Sequence, residues 1–380
     1  MDTPATSPVV FDELHCTDGA RMGIATLNAE KSLNALRLEM IDLLAERLAL
    51  WARDAGIVMV ILQGAGERAF CAGADLHRMH REILVQRATP ARDDPRAYDY
   101  ALDFFEREYR LDYVIHTYPK PILGWGHGVV MGGGMGLMVG ASHRVLTEQA
   151  KVAMPEINIG LYADVGGSWF LGRAPGRSGL FLALTAAQLN AGDAIFAGLG
   201  DYQIAHSHKS AIWARLTAQA WSTQPGVNHA TLSALLKPFA QRPATPGPLR
   251  QHFDLIEALC DHDDPRELVA AICAVKTDDA WLSRAAATLS RGSPSTAALS
   301  IALQRRLRLA SLAEVFRVEL GVSLLCVQRP DLAEGIRALL IDKDRNPRWQ
   351  PATLAEVTPE WVDGFFAPLW TASEHPLRDL

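Results

Sequence analysis

Three consecutive glycines, Gly132-Gly133-Gly134, stand between the apolar run Pro121–Gly126 and the stretch Met135–Ala141, and they constrain this chain more than any other feature. Adjacent glycines cost backbone entropy and are wasted in an ordinary loop, so they point to backbone that passes close to a ligand or to another element. If Met135–Ala141 is a helix, the unpaired N–H groups of its first turn face the glycines and favour negative charge there. Two carboxylates follow among further glycines, Glu156 after Pro155 and Asp164 ahead of Gly166-Gly167. Main-chain donors beside an acid or base suit the stabilisation of an oxyanion. Tight helix-on-strand packing is the competing explanation for the glycines taken alone.

The flanking pattern is layered. Met22–Leu27 predicts a strand, and Leu36–Trp51 carries Met40, Leu43, Leu44 and Leu48 at helical spacing. Val58–Leu62 predicts a short buried strand. Pro121–Gly126, the glycine turn, Met135–Ala141 and Arg144–Thr147 then repeat the strand, helix, strand order, which favours an α/β core. Prolines at 225, 238, 243, 246 and 248 predict a boundary or a long surface connection over residues 224–248. Beyond it, Leu268–Val275, Ala297–Leu309 and Leu312–Val327 read as helices. The expected organisation is a core over residues 1–200, a helical and Pro-rich connection over 201–290, and a helical region over 291–380.

Charge and cysteine usage narrow the class. With 37 basic against 43 acidic residues and a net charge of −6, no nucleic-acid-binding surface is expected. The five cysteines are odd in number, scattered and without a CxxC pair, which fits a reducing cytoplasm. The first fifteen residues lack the marks of a signal or transit peptide. No apolar stretch is long enough to span a bilayer, so no membrane association is expected.

Several familiar motifs fail. A dinucleotide fingerprint would require glycine at Leu137, and a phosphate-binding loop would require Lys-Ser/Thr after the last glycine. His77 and His80 lack the glutamate of a zinc-protease helix. Gly166-Gly167-Ser168-Trp169-Phe170 lacks the closing glycine of a nucleophile elbow. Cys71, beside Phe70, reads as an inert core thiol.

A second small-residue turn, Phe70-Cys71-Ala72-Gly73-Ala74-Asp75-Leu76, follows the strand Val58–Leu62. Its small side chains let main-chain N–H groups reach a ligand, while Asp75 is placed to cap the helix running toward Met79. It offers a second oxyanion donor from a separate strand end. Burial of Glu156 would raise its pKa and suit it to proton transfer or nucleophilic attack. For Asp164 the alternative is a helix cap near Gly166, and for Glu106, Glu108 and Asp112 it is a solvated helix face.

Taken together, these residues resemble the crotonase (enoyl-CoA hydratase/isomerase) superfamily. The marks are Leu27-Asn28 with Asn34-Ala35-Leu36, the Phe70–Leu76 turn, the glycine triplet, Pro155-Glu156 with Gly160, and Gly166-Gly167. Within it the chain looks most like the 3-hydroxyisobutyryl-CoA hydrolase group. That likeness rests on Phe104-Phe105-x-x-Glu108-Tyr109, Met131–Gly136, Ala153–Glu156 with Asp164–Gly167, and Glu334–Asp344. The resemblance implies a crotonase-like spiral of ββα units with a mainly helical C-terminal region. It implies oxyanion-hole amides at Ala72 and Gly133, catalytic carboxylates at Glu156 and Asp164, and substrate contact by Glu108 and by the turn Gly73, Ala74 and Asp75. The substrate would be a short branched 3-hydroxyacyl-CoA, as in valine breakdown. No metal or cofactor is implied, CoA being part of the substrate, and a homo-oligomer is compatible.

Two places depart from the pattern. In hydratases a second catalytic glutamate follows the glycine triplet, where this chain has Gly136, which argues against hydration. The hydrolases commonly have proline where this chain has Ala163, which frees the backbone before Asp164. The alternatives are enolate chemistry of the isomerase or hydratase type in the same pocket, and a non-catalytic acyl-CoA-binding protein.

Overall fold

In the computed structural model, residues 7–241 and 245–380 are described, and the chain divides into two structural units. Unit 1 comprises Met1–Ala74, Leu111–Val152 and Leu189–Gly247; unit 2 comprises Asp75–Arg110, Ala153–Gln188 and Pro248–Leu380. The units interleave along the chain instead of following one another as the regions 1–200, 201–290 and 291–380. Packing of segments that return from far along the chain is invisible to a linear reading of composition.

Unit 1 is built on a six-stranded sheet with β1 (Val9–His15), β2 (Arg21–Leu27), β3 (Ile57–Gly64), β5 (Ile122–Gly126), β7 (His143–Leu146) and β9 (Tyr202–Gln203) in that spatial order. The β1–β2 pair is an antiparallel hairpin, and the pairs from β2 to β9 are parallel. A three-stranded sheet sets β4 (Ala69–Cys71), β6 (Val129–Met131) and β8 (Lys151–Ala153) side by side. Strand β3 is a nearly unbroken apolar run because it is covered on both faces.

Helix α1 (Leu38–Arg53) buries Met40, Ile41, Leu44, Leu48 and Trp51, a stripe at three- and four-residue spacing. Trp51 lies flat on Gly23 of β2, where a Cβ would stand 2.7 Å from the indole ring. The expected strands and helices over 22–27, 36–51, 58–62, 121–126, 135–141 and 144–147 all form, with ends shifted by a few residues. Residues 224–248 differ from expectation. Pro225 occupies the first turn of a helix, Pro225–Leu236, where its missing N–H costs nothing, and Pro238 sits in the short 3-10 turn Lys237–Phe239 that follows. Pro243 lies outside the described residues.

Unit 2 contains helix α2 (Leu76–Arg87), the first part of helix α3 (Asp99–His116), the carboxylate stretch 153–188 and the C-terminal helices. Its central element is the helix Leu312–Gln328, opened by a capping box in which Ser311 and Glu314 exchange side-chain to backbone bonds. The expected helices over 268–275, 297–309 and 312–327 appear as Pro265–Cys273, Pro294–Arg306 and Leu312–Gln328.

Candidate active site

Strands β4 and β6 are parallel neighbours, with Cys71 opposite Val130. Their chain ends therefore leave the same sheet edge, and the turns that follow, Ala72–Ala74 and Gly132–Gly134, lie together in unit 1. Gly73 adopts φ +97°, and a Cβ there would meet Met131 O at 3.2 Å and Gly133 N at 3.5 Å. Gly132 takes φ 53° and ψ −127° as the N-cap of α4 (Gly133–Gly140). Gly134 is pressed on β4, its Cβ position 2.4 Å from Cys71 O. The packing explanation holds for the third glycine, and the first turn of α4 lies against the other turn, where a Cβ on Gly73 would stand 3.5 Å from Gly133 N.

Gly133 is the first residue of α4, so its N–H has no intrahelical acceptor. Ala72 differs from expectation. Its N–H donates to Leu33 O at 3.0 Å and is already committed to the chain ahead of α1. Gly73 O accepts from Leu36 N at 2.7 Å, and among the described residues the N–H of Ala74 has no hydrogen-bond acceptor. Ala74, two residues beyond the expected donor, is thus uncommitted where Ala72 is not. The Asp75 side chain accepts from Arg78 N, so this residue is the N-cap of α2.

Unit 2 holds the carboxylates. Pro155 introduces a short turn, Glu156–Ile159, which Gly160 closes in the left-handed conformation. Glu156 is buried, and its Oε2 has no hydrogen-bond partner among the described residues. Burial drives its pKa well above the usual carboxylate range, and the charges of Asp164 and Glu108 add to the effect. Asp164 is buried as well and its pKa is also raised, chiefly by desolvation, although a bond from the Tyr109 hydroxyl at 2.9 Å opposes the shift. Since the two carboxyls interact, their protons belong to the pair. Glu108 is only 2% exposed, so the solvated-face explanation fails for it. The aromatic residues around it, Phe104, Phe105 and Tyr109, are buried too, and α3 turns this face inward.

Asp164 is not the cap of the following helix. Glu319, from the helix Leu312–Gln328, accepts the N–H groups of Gly166 at 2.8 Å and Ser168 at 3.1 Å, where the short helix α5 (Gly167–Phe170) begins. The turn between is strained, with the β-branched Val165 at φ 51° and Gly166 at φ 81°. Glu319 and Ser323, four residues apart, share a helix face with Phe316. Sequence reasoning missed both polar groups. Their signal was a carboxylate and a hydroxyl at core positions of an otherwise apolar helical stripe.

Cys71 is fully buried, as expected of a core thiol. Among the described residues no cluster of metal-ligating side chains occurs, and no helix is long and apolar enough to cross a membrane.

Comparison with known proteins places this chemistry in a family. The family model described as enoyl-CoA hydratase/isomerase matches residues 22–366. The mitochondrial 3-hydroxyisobutyryl-CoA hydrolase of Xenopus tropicalis is 35% identical over 91% of this chain and 86% of its own length. Its Homo sapiens counterpart is 33% identical over 97% and 90%. Among solved structures, a carnitinyl-CoA dehydratase from Mycobacterium thermoresistibile superposes with a TM-score of 0.81 at 35% identity, covering 96% of this chain and 97% of that one. An enoyl-CoA hydratase from Rhodobacter sphaeroides 2.4.1 superposes with the same TM-score at 33% identity, covering 96% and 98%. The chain belongs to the enoyl-CoA hydratase/isomerase family and has its crotonase fold.

Proposed function

We propose that the protein hydrolyses a short branched 3-hydroxyacyl-CoA thioester, with 3-hydroxyisobutyryl-CoA as the leading substrate and 3-hydroxyisobutyrate and CoA as products, as in valine breakdown. The observation that carries this reading over hydration is at Gly136. A Cβ there would stand 2.5 Å from Asp112 Oδ2, so a buried aspartate fills the space that a second catalytic glutamate would need. The names of the curated relatives support the same choice.

In this reading the N–H groups of Gly133 and Ala74 receive the thioester oxygen as it becomes negative, each contributing roughly 3–4 kcal/mol to lowering the barrier. Glu156, ionised, either attacks the carbonyl carbon to form a mixed anhydride or takes a proton from the attacking water. In either route the C–S bond breaks and the CoA sulfur leaves, to be protonated; in the anhydride route water then cleaves the anhydride, which releases the 3-hydroxy acid and regenerates Glu156. Asp164 exchanges a proton with Glu156 or with water, and Glu108 holds the substrate hydroxyl. CoA enters as part of the substrate. A cytoplasmic setting belongs to this reading on the strength of five scattered cysteines without a CxxC pair; the named relatives are mitochondrial, and cell fractionation decides between the two.

A panel of acyl-CoAs with a thiol reagent is the test, and release of free CoA from 3-hydroxyisobutyryl-CoA is expected. A second reading, hydration or dehydration of an enoyl-CoA, is favoured by the names of the two solved structures. No thiol release alongside a change in enoyl absorbance would establish it and overturn the first. Rapid-quench mass spectrometry separates the two hydrolytic routes, because only nucleophilic attack leaves the acyl group on Glu156.

A further inference from the structure

Asp164 is the end of a chain of hydroxyls buried in unit 2. The Tyr109 hydroxyl donates to Asp164 Oδ2 at 2.9 Å and lies 2.7 Å from Ser323 Oγ. Ser323 Oγ lies 2.9 Å from the Tyr162 hydroxyl, which donates to the main-chain oxygen of Glu319 at 3.0 Å. Tyr109, Tyr162 and Ser323 are all essentially inaccessible to solvent. Three hydroxyl protons thus run between a carboxyl at one end and a carbonyl, which can only accept, at the other.

Two proton arrangements fit these four contacts, with three protons when Asp164 is ionised and four when it is protonated. With Asp164 ionised, Tyr109 donates to it, Ser323 donates to Tyr109, and Tyr162 donates to the Glu319 carbonyl, which leaves the Ser323–Tyr162 contact without a proton. With Asp164 protonated, the carboxyl donates to Tyr109, Tyr109 to Ser323, Ser323 to Tyr162, and Tyr162 again to the carbonyl. Only the Tyr109 and Ser323 O–H bonds rotate between the two states. A buried carboxyl facing a single fixed donor would lose its bond whenever it took up a proton, which is costly in the interior.

We propose that Tyr109, Ser323 and Tyr162 are positioning residues that form a reversible hydroxyl relay, keeping Asp164 hydrogen-bonded in both its ionised and its protonated form so that it can accept and return a proton in each turnover. The proposal rests on the catalytic assignment of Asp164 above. The strained turn at Val165, adjoining the contacts of Glu319, restricts how far Asp164 can move to find other partners. The titratable groups around the carboxyl are Glu156 on the preceding turn, Tyr109 on α3, Tyr162 on its own segment, and Glu319 and Cys326 on the helix Leu312–Gln328, with Glu108 of α3 acting on Glu156.

The test is the carboxyl titration of Asp164 in the full chain, followed by carbon-13 NMR with labelled aspartate and assigned by the signal lost in Asp164→Asn. Tyr109→Phe removes the partner of Asp164 in both forms, and because the bond to the ionised carboxyl is the stronger of the two the midpoint should rise, by less than about one unit. Ser323→Ala removes the acceptor that Tyr109 needs when Asp164 is protonated and should lower it. Tyr162→Phe interrupts the chain one hydroxyl further on, should lower it by less, and serves if Ser323→Ala does not fold. Opposite shifts support the relay; shifts in one direction, or none, overturn it. The acid limb of the thioesterase pH profile should move with each midpoint. If the midpoints move as expected while CoA release is absent or its profile stays fixed, the relay stands and the catalytic assignment of Asp164 falls.

Discussion

Glu319 accepts the N–H of Gly166 at 2.8 Å with one carboxyl oxygen and that of Ser168 at 3.1 Å with the other, tying the helix Leu312–Gln328 to the turn that carries Asp164. Glu319→Ala leaves two buried N–H groups without this acceptor, at an expected cost of roughly 2–4 kcal/mol. The loss is measured as a fall in the urea midpoint. Activity should fall beyond the loss of folded protein, because the Asp164 turn is freed; an unchanged kcat would separate Glu319 from the site.

Burial pushes the pKa of Glu319 up to about 8, against the pull of its two N–H donors. Its folded value lies above the unfolded one, so the folded state holds a proton that the unfolded state has already lost. The associated stability is fully present below the unfolded pKa, about 4.3 for glutamate, and is lost as pH rises toward 8. Glu156 and Asp164, also raised, act with the same sign. The melting temperature should therefore fall across this window, and Glu319→Gln should flatten part of the slope even if its absolute stability is lower.

Glu156→Gln should reduce kcat by about a thousandfold or more, because no nucleophile or base remains at that position, while KM changes little. Steady-state kinetics of CoA release checks it, and thermal melting should show no loss of stability, since an ionisable group has left a buried site. In the unaltered protein the acid limb of the rate profile should lie above the ordinary carboxylate range. The reason is that Glu156 must be ionised to act, and both burial and Asp164 oppose that.

Gly136→Ala should destabilise the protein by about 1–3 kcal/mol, since the new methyl meets Asp112 Oδ2 at 2.5 Å. Gly136→Glu should not confer hydration of an enoyl-CoA. A double-mutant cycle with Asp112→Ala measures the clash: Gly136→Ala should cost less once Asp112 is shortened. Additive costs would show that α4 moves aside instead.

Gly73→Ala tests the main-chain donors. Alanine is strained at φ +97°, and its Cβ would crowd Met131 O at 3.2 Å. The expected result is a tenfold to hundredfold loss in kcat/KM with a small change in melting temperature, as for a displaced oxyanion donor. Leu33→Ala keeps the main-chain oxygen that binds Ala72 and should be far milder on catalysis.

Local pattern was enough for much of this molecule. The α1 stripe, the buried run of β3 and the glycine turn into α4 were all legible in sequence, because each depends on neighbours within a few residues. The resemblance carried by those motifs led to Glu156, Asp164, Gly133 and the family. What sequence could not supply was partner choice across long separations. Ala72 looked like a donor until the fold gave its N–H to Leu33 O. Asp164 looked like a helix cap until Glu319, far along the chain, took that role and Tyr109 claimed its oxygen. Glu108 looked solvated until α3 turned inward. Hydrogen bonds and desolvation depend on which groups meet in the folded interior, so tertiary structure alone decided which of the legible residues remained free to do chemistry.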